Sequence, residues 1–468
     1  MDTFEALYER RSIRDYVREK KEIPQDVLDR IIKSAYYSLP APGGWFPWRF
    51  VMVRKDAEGK NQIAACAKEV AMTMFGASFE VFGPGHLWYM PGDTQLKVAE
   101  YTTTGELWEY PRDADVDFIP LLSKGAWIDS LGPHSPDLML IAQFQGFATQ
   151  NMWLVGHKYG VGAGYNGMPM LDERRRETNC ELLAIPRSWD STGCFSFGYG
   201  RAPRYFGPTR PALEGMTFAE YWGNPYRRMA FDDGAYEKME LPQTEIEDVI
   251  ANLNYVENFE QGVIPRWQIE KVVDTALMGP MPEMLKNYRV IIIKDRETKE
   301  FLQKCLDEKR SSPWSFCWPE LQHSRAAGAE DRMEEVEKVF NTGYGKWLGE
   351  ADTLILIVST FFSWIDQPDP GLAAGPQPMF GISTGCCIQN MMIAASALGL
   401  GMNYETIITG DSRTREVMMD YFGIPNSWWP LGILALGKAG KKAEIKRPPL
   451  EQLFYDEYWG NPYIIKTK

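Results

Sequence analysis

Residues 9–16 read ERRSIRDY, which places Arg10, Arg11, Ser12 and Arg14 within five positions. Alternate residues of an extended backbone share a side, so Arg10, Ser12 and Arg14 would face one point. Two guanidiniums and a hydroxyl meeting there suit a phosphate monoester, which takes paired hydrogen bonds from arginine. The competing reading is a solvated basic turn. Other chemistry-bearing residues are sparse. The four histidines, His86, His134, His157 and His323, have no metal-ligand spacing, and no metal is expected. None of the seven cysteines forms a CxxC pair, and the adjacent Cys386 and Cys387 read as small buried residues rather than a redox couple. No side chain announces itself as a catalytic acid or base, so the catalytic residue is left open.

The elements that position these residues come twice. TRPALEGMTFAEYWGNPY (209–226) matches KRPPLEQLFYDEYWGNPY (446–463) without a gap. Upstream, GFATQNMWLVGHKYGVGAG (146–164) parallels GCCIQNMMIAASALGLGMN (385–403). Each reads as an apolar helix with Gln-Asn-Met near its start and a Gly-x-Gly stop, since glycine accepts the left-handed conformation after a last turn. RFVMVRK (49–55) and RVIIIKD (289–295) read as strands, as do CFSFGYG (194–200) and LGILALG (431–437). IPQDVLDRIIKSAYYS (23–38) and IPRWQIEKVVDTALMG (264–279) carry helical apolar spacing, with proline in the first turn. Each half therefore reads α, β, α, β and then a Pro-rich tail. The polar stretch 228–245 divides the chain near 235, giving domains 1–235 and 236–468. The natural inference is a pseudo-dimer in which one chain joins two symmetric subunits, with Trp222 and Trp459 anchoring the tails. The stretch 75–137 has no evident copy and is rich in Gly, Pro and aromatics, including Trp88, Tyr89, Tyr101 and Trp108. It reads as a pocket wall, a lid or a surface excursion.

A chain of 468 residues with 44% hydrophobic and 24% charged residues has ordinary globular composition. The net charge of −13 argues against nucleic acid or an anionic membrane as the main partner. The first residues carry charge without an apolar core, so no secretory leader is read. A reduced, cytoplasmic setting is expected.

ERRSIRDY, the following IPQDVLDRIIKSAYYSLPAPGGWFPWRFVMV, and the apolar helix ending in Gly-x-Gly together resemble the FMN-dependent nitroreductase family. That resemblance implies an α+β fold of two nitroreductase-like domains, each a mainly antiparallel sheet flanked by helices. It implies FMN between the halves, with Arg10, Arg11, Ser12, Arg14 and Arg210 at its phosphate. Tyr165, Asn166 and Gly167 would meet the isoalloxazine ring. The second half's loop, with Gly279, Pro280, Met281 and Pro282, would supply the facing wall. In the first half's own loop, Gly44 and Phe46 stand where the family pattern has Asn and Gln. Leu253, Tyr255 and Glu257 stand where Arg10, Ser12 and Arg14 are in the first half, and a carboxylate there repels phosphate. One working site and one degenerate site are expected. The resemblance further implies electron transfer from NAD(P)H or a protein donor to a planar acceptor such as a nitroaromatic, quinone or enone. Flavin storage without turnover and reductive dehalogenation are the alternative readings. The oligomeric state is expected to be a monomer or a homodimer.

Overall fold

The computed structural model describes residues 1–17, 21–41, 44–76, 100, 104–123, 137–201, 210–228, 241–280, 287–310, 345–360 and 376–467. The first part of the chain forms helices α1 (Thr3–Glu9), α2 (Gln25–Tyr36), α3 (Ala57–Gly76), α4 (Asp137–Lys158) and α5 (Glu173–Leu182). The second forms α6 (Ile246–Ala251), α7 (Arg266–Ala276), α8 (Arg296–Arg310), α9 (Trp347–Glu350), α10 (Pro376–Ala397), α11 (Ile407–Gly410) and α12 (Ser412–Phe422). The strands are β1 (Trp48–Val53), β2 (Val116–Ser123), β3 (Gly162–Asn166), β4 (Trp189–Ser191), β5 (Cys194–Gly198), β6 (Thr217–Ala219), β7 (Phe259–Glu260), β8 (Tyr288–Ile293), β9 (Thr353–Ser359), β10 (Leu400–Glu405), β11 (Trp429–Ala439) and β12 (Phe454–Asp456).

They assemble into two six-stranded sheets. One runs β12-β1-β2-β5-β3, with β4 on β2; the other runs β6-β8-β9-β11-β10, with β7 on β11. All pairings are antiparallel except β1–β12 and β6–β8. The fold is therefore α+β, with two sheets of the same plan. The parallel pairs are exchanges. The sheet built from the first half takes its edge strand from the end of the chain, and the other takes β6 from the first half. An open edge invites pairing with another molecule; here each half covers the other's.

Helices α4 and α10 cross at the centre, and glycine sets how closely. A Cβ at Gly146 would overlap the Ile382 carbonyl oxygen, and one at Gly385 would overlap that of Gln143. Beside the crossing, Gln150 donates to the Asn390 side chain (2.7 Å), and Gln389 donates to Asn151 (2.8 Å). Asn151 and Asn390 then donate to the carbonyls of Ser34 and Thr275, each at 3.0 Å. Contacts that recur with the two halves interchanged are the mark of a two-fold interface. These amides are buried, and the bonds give each a partner there, although the Gln150 and Gln389 side-chain oxygens have none.

The twice-written EYWGNPY makes the same set of contacts in both places. Glu220 and Glu457 take positive φ of 63° and 67°, a conformation that costs about 1 kcal/mol or more outside glycine. Each is offset by backbone donors. Glu220 accepts from the N–H groups of Lys294 and Asp295 (2.9 and 3.2 Å), and Glu457 from those of Lys55 and Asp56 (2.9 and 3.2 Å). Trp222 packs with Phe218 and Trp428, and Trp459 with Trp189 and Tyr455. The closing tyrosines donate to buried carboxylates of the opposite half: Tyr226 to Glu270 (2.9 Å) and Tyr463 to Asp29 (2.6 Å).

Several elements differ from the sequence expectation. β2 falls inside the stretch read as unrepeated, yet it is buried along its whole length and pairs with β1 and β5, as β9 pairs with β8 and β11. The left-handed helix stops are Gly160 (φ 71°) and Gly399 (φ 74°). Gly162 and Gly164 instead lie in β3, where a side chain would strike Ile13. Gln150-Asn151 and Gln389-Asn390 sit in the middle of α4 and α10, not near their starts. Pro24 and Pro265 are cap residues just before α2 and α7. Trp88, Tyr89 and Tyr101 lie outside the described residues. Among the described residues no helix is long and apolar enough to cross a membrane.

Candidate functional site

The ERRSIRDY segment begins where α1 ends. Asp2 caps that helix, accepting from the Phe4 N–H at 2.9 Å. Beyond Glu9 the chain runs extended beside β3, with Ser12 bridged to Ala163 and the Ile13 N–H donating to the Ala163 carbonyl at 2.8 Å. The extended run turns Arg11 and Ile13 into a cleft of about 380 Å³ that they line with Trp153, His157 and Lys158.

Arg10 is only 1% exposed. Its guanidinium lies 4.6 Å from the Trp153 ring centroid, and Nη2 donates to the Met278 carbonyl at 2.9 Å. Nη1 is buried without a hydrogen-bond partner. Arg210 reaches the same place from the start of the first arm and donates to the Gly279 carbonyl at 3.3 Å. Arg11 completes the group, held by the carbonyls of Tyr8 (2.7 Å) and Arg10 (2.9 Å). Burial, and after it the charge of Arg210, push Arg10 down to about 9. Arg210 is lowered too, by burial first and then by Arg11. No ion pair among the described residues joins any of the three. Buried cations are ordinarily paired, and these repel one another instead. The donor set left open fits a phosphate dianion: planar guanidiniums with unspent N–H groups that no carboxylate among the described residues holds in an ion pair.

The facing wall comes from the second half. Gly279 follows α7, and a Cβ there would overlap the Cys387 sulfur, so the approach of this loop to α10 requires glycine. Pro280 is described; Met281 and Pro282 lie outside the described residues. On the other side, Tyr165 donates to the Thr192 carbonyl at 2.8 Å and packs with Leu122, Leu140, Ile382 and Cys386. Asn166 is buried and its amide is spent within the chain, donating to the Trp108 carbonyl (2.9 Å) and accepting from the Met168 N–H (3.1 Å). Only its backbone remains for a ligand. At Gly167 a Cβ would come within 2.8 Å of the Met379 sulfur, so residues 165–167 also lie against the second half.

Of the residues singled out from sequence, Arg10, Arg11, Arg210 and Gly279 come together. Ser12 stands on the same extended run. Arg14 is exposed, and its guanidinium lies beside the Tyr110 hydroxyl, away from the arginine group. Sequence reasoning missed Trp153, the platform under Arg10, because a Trp within an apolar helix looks like any core residue. It also missed Tyr110, which with Trp108, one of the aromatics noted in the unrepeated stretch, docks the end of that stretch against residues 164–166.

Comparison with known proteins gives one family. The nitroreductase family model matches residues 7–80 and 257–438. A Cr(VI) reductase of Pseudomonas sp. (strain G-1) is 24% identical over 217 residues, which cover 45% of this chain and 74% of that protein. Among solved structures, a BluB-like flavoprotein from Clostridium difficile 630 is 19% identical, covering 45% of this chain and 97% of its own, with a TM-score of 0.35. A nitroreductase with bound FMN from Bacteroides fragilis NCTC 9343 is 15% identical, covering 44% and 94%, with a TM-score of 0.31.

Proposed function

The chain belongs to the nitroreductase family, whose model spans more than half of its 468 residues, and from that premise we propose an FMN-dependent oxidoreductase with its cofactor between the halves. The observation that carries the proposal is the buried Arg10 guanidinium with a free Nη1, next to Arg210 and Arg11 and in no ion pair among the described residues. Arg10 and Arg210, with Arg11 and Ser12 beside them, would hold the phosphate. Backbone at 165–167 would meet the flavin ring, and the loop from Met278 through Pro282 would close the opposite side. Bound there, FMN would supply two-electron transfer from NAD(P)H to a planar nitro, quinone or enone acceptor.

The protein's part is binding and orientation. The carbonyls of Met278 and Gly279 aim Arg10 and Arg210, and Trp153 holds the Arg10 plane in place. The backbone around residue 166 is fixed by the Asn166 amide, so a ligand meets a surface formed in advance. No side-chain acid or base is assigned. The test is to identify the heat-released cofactor by mass spectrometry, then to follow NADH and NADPH oxidation with menadione and a nitroaromatic. FMN with acceptor-dependent turnover is expected. A protein that takes up no flavin from free FMN overturns the assignment.

A further inference from the structure

We infer that each chain holds one flavin, because the second half closes its copy of the arginine site with its own arginine. This rests on the flavin reading above and adds to it the fate of the second site.

The backbone of that second site is intact. Tyr255 bridges Met402 as Ser12 bridges Ala163, and Phe259 pairs with Ala439 as Tyr16 pairs with Gly200. The side chains have changed character. Leu253, in the place of Arg10, is 6% exposed and packs in the core. Glu257, in the place of Arg14, forms an ion pair with Lys441 at 2.6 Å on the surface. Glu405 stands where Asn166 does, fully buried. The arginine trio is reduced to Arg447, the counterpart of Arg210.

Arg447 is occupied where Arg210 is not. Its Nε donates to the Tyr36 carbonyl (2.8 Å), its Nη2 to that of Tyr37 (3.2 Å) and its Nη1 to that of Ile445 (3.4 Å). It also lies over both tyrosine rings, at 5.8 and 5.9 Å. Arg210 makes one such bond, at 3.3 Å. A phosphate entering the first site meets three cations with unspent donors. A phosphate entering the second meets one guanidinium and must strip it from the carbonyls that end α2, leaving those acceptors unpaired. The two sites therefore differ by two guanidiniums and in the direction of the bonds that remain. The second arginine ties down the loop after α2, as a ligand would have done.

Matched variants test this. FMN content is measured as flavin absorbance per chain after saturation and desalting, with binding followed by flavin fluorescence. Wild type is expected to hold one FMN per chain. Arg210→Ala should weaken binding at least about tenfold, the loss of a charge-assisted bond, while Arg447→Ala stays within about twofold. Should Arg447→Ala prove too unstable, the wild-type ratio decides alone, and Arg447→Gln gives the second reading. Two FMN per wild-type chain, or a fall from two to one in Arg447→Ala, overturns the inference while leaving the flavin assignment standing. None in wild type overturns both.

Discussion

Glu405 offers the most direct test of how these halves are balanced electrostatically. Its side chain is fully buried at the end of β10. One carboxyl oxygen accepts from the Ile407 N–H and the other has no partner. Burial raises its pKa from 4.5 to about 7, against the N–H groups of Ile407, Ile408 and Thr406, which favour the ionised form. Neither Tyr255 nor Tyr404, the groups that feel its charge, supplies a cation. Because the folded pKa lies above the unfolded one, the group's contribution is complete below about pH 4.5. It is lost as pH rises through about 7. A shift of this size corresponds to about 3 kcal/mol between those limits. Glu405→Gln removes the titration while keeping the shape. Urea unfolding of both proteins at intervals from pH 5 to 8 is the assay. The difference in stability should move toward the variant by 2–3 kcal/mol as pH rises, most steeply midway between the two pKa values, at about pH 6. Parallel profiles across that window would refute the reasoning, since they would mean the carboxyl is equally at ease ionised in both states.

Three other outcomes follow from packing. Gly146→Ala puts a methyl into the Ile382 carbonyl oxygen at the α4–α10 crossing, and should cost about 1–3 kcal/mol, read as a lowered Tm; an unchanged Tm would mean the crossing is looser than described. Tyr463→Phe removes the hydroxyl that donates to Asp29 and accepts from Gln25. It should cost about 1–2 kcal/mol and raise amide exchange in β12 before the rest of its sheet; uniform exchange would count against the arm's local role. Asp29→Asn acts on a carboxyl whose pKa is lowered because hydrogen bonds from Tyr463, Thr467 and Gln25 outweigh burial. Wild type should therefore lose stability as pH falls through and below the ordinary Asp range, and the variant should lose less.

The parts of the fold that could be read from sequence were those written twice or spaced regularly. α2 showed its buried face through Val27, Leu28, Ile31, Ile32 and Ala35, and the arms showed themselves by repetition. β2 did not. Asp117 and Pro120 interrupt its apolar run, and only the structure shows Asp117 buried and accepting from Ser196. The exchange of edge strands was also hidden, because β1 and β12 meet across some 400 residues of chain and no local pattern encodes a partner that distant. At the site, alternation brought out Arg10, and the family resemblance brought out Arg210. The carbonyls that aim them belong to backbone, which any residue can supply. Arg14 illustrates the reverse case: its spacing was right, but Tyr110, a residue of the unrepeated stretch, sits beside it.

The crossed arms carry a consequence for how such a molecule changes over generations. When two identical subunits embrace, every substitution is made twice, and neither pocket can drift without its twin. Joining them in one chain removes that tie: Leu253 could replace an arginine in one pocket while Arg10 stayed in the other. The arms enjoy no such freedom. Each half still needs the other's strand on its open edge, so a loss at either end uncovers a sheet. Inheritance from a doubled sequence is thus loose along the extended runs at 10–14 and 253–257 and strict where the halves hold each other, which is why seven letters are still spelled alike in a pair whose extended runs no longer match.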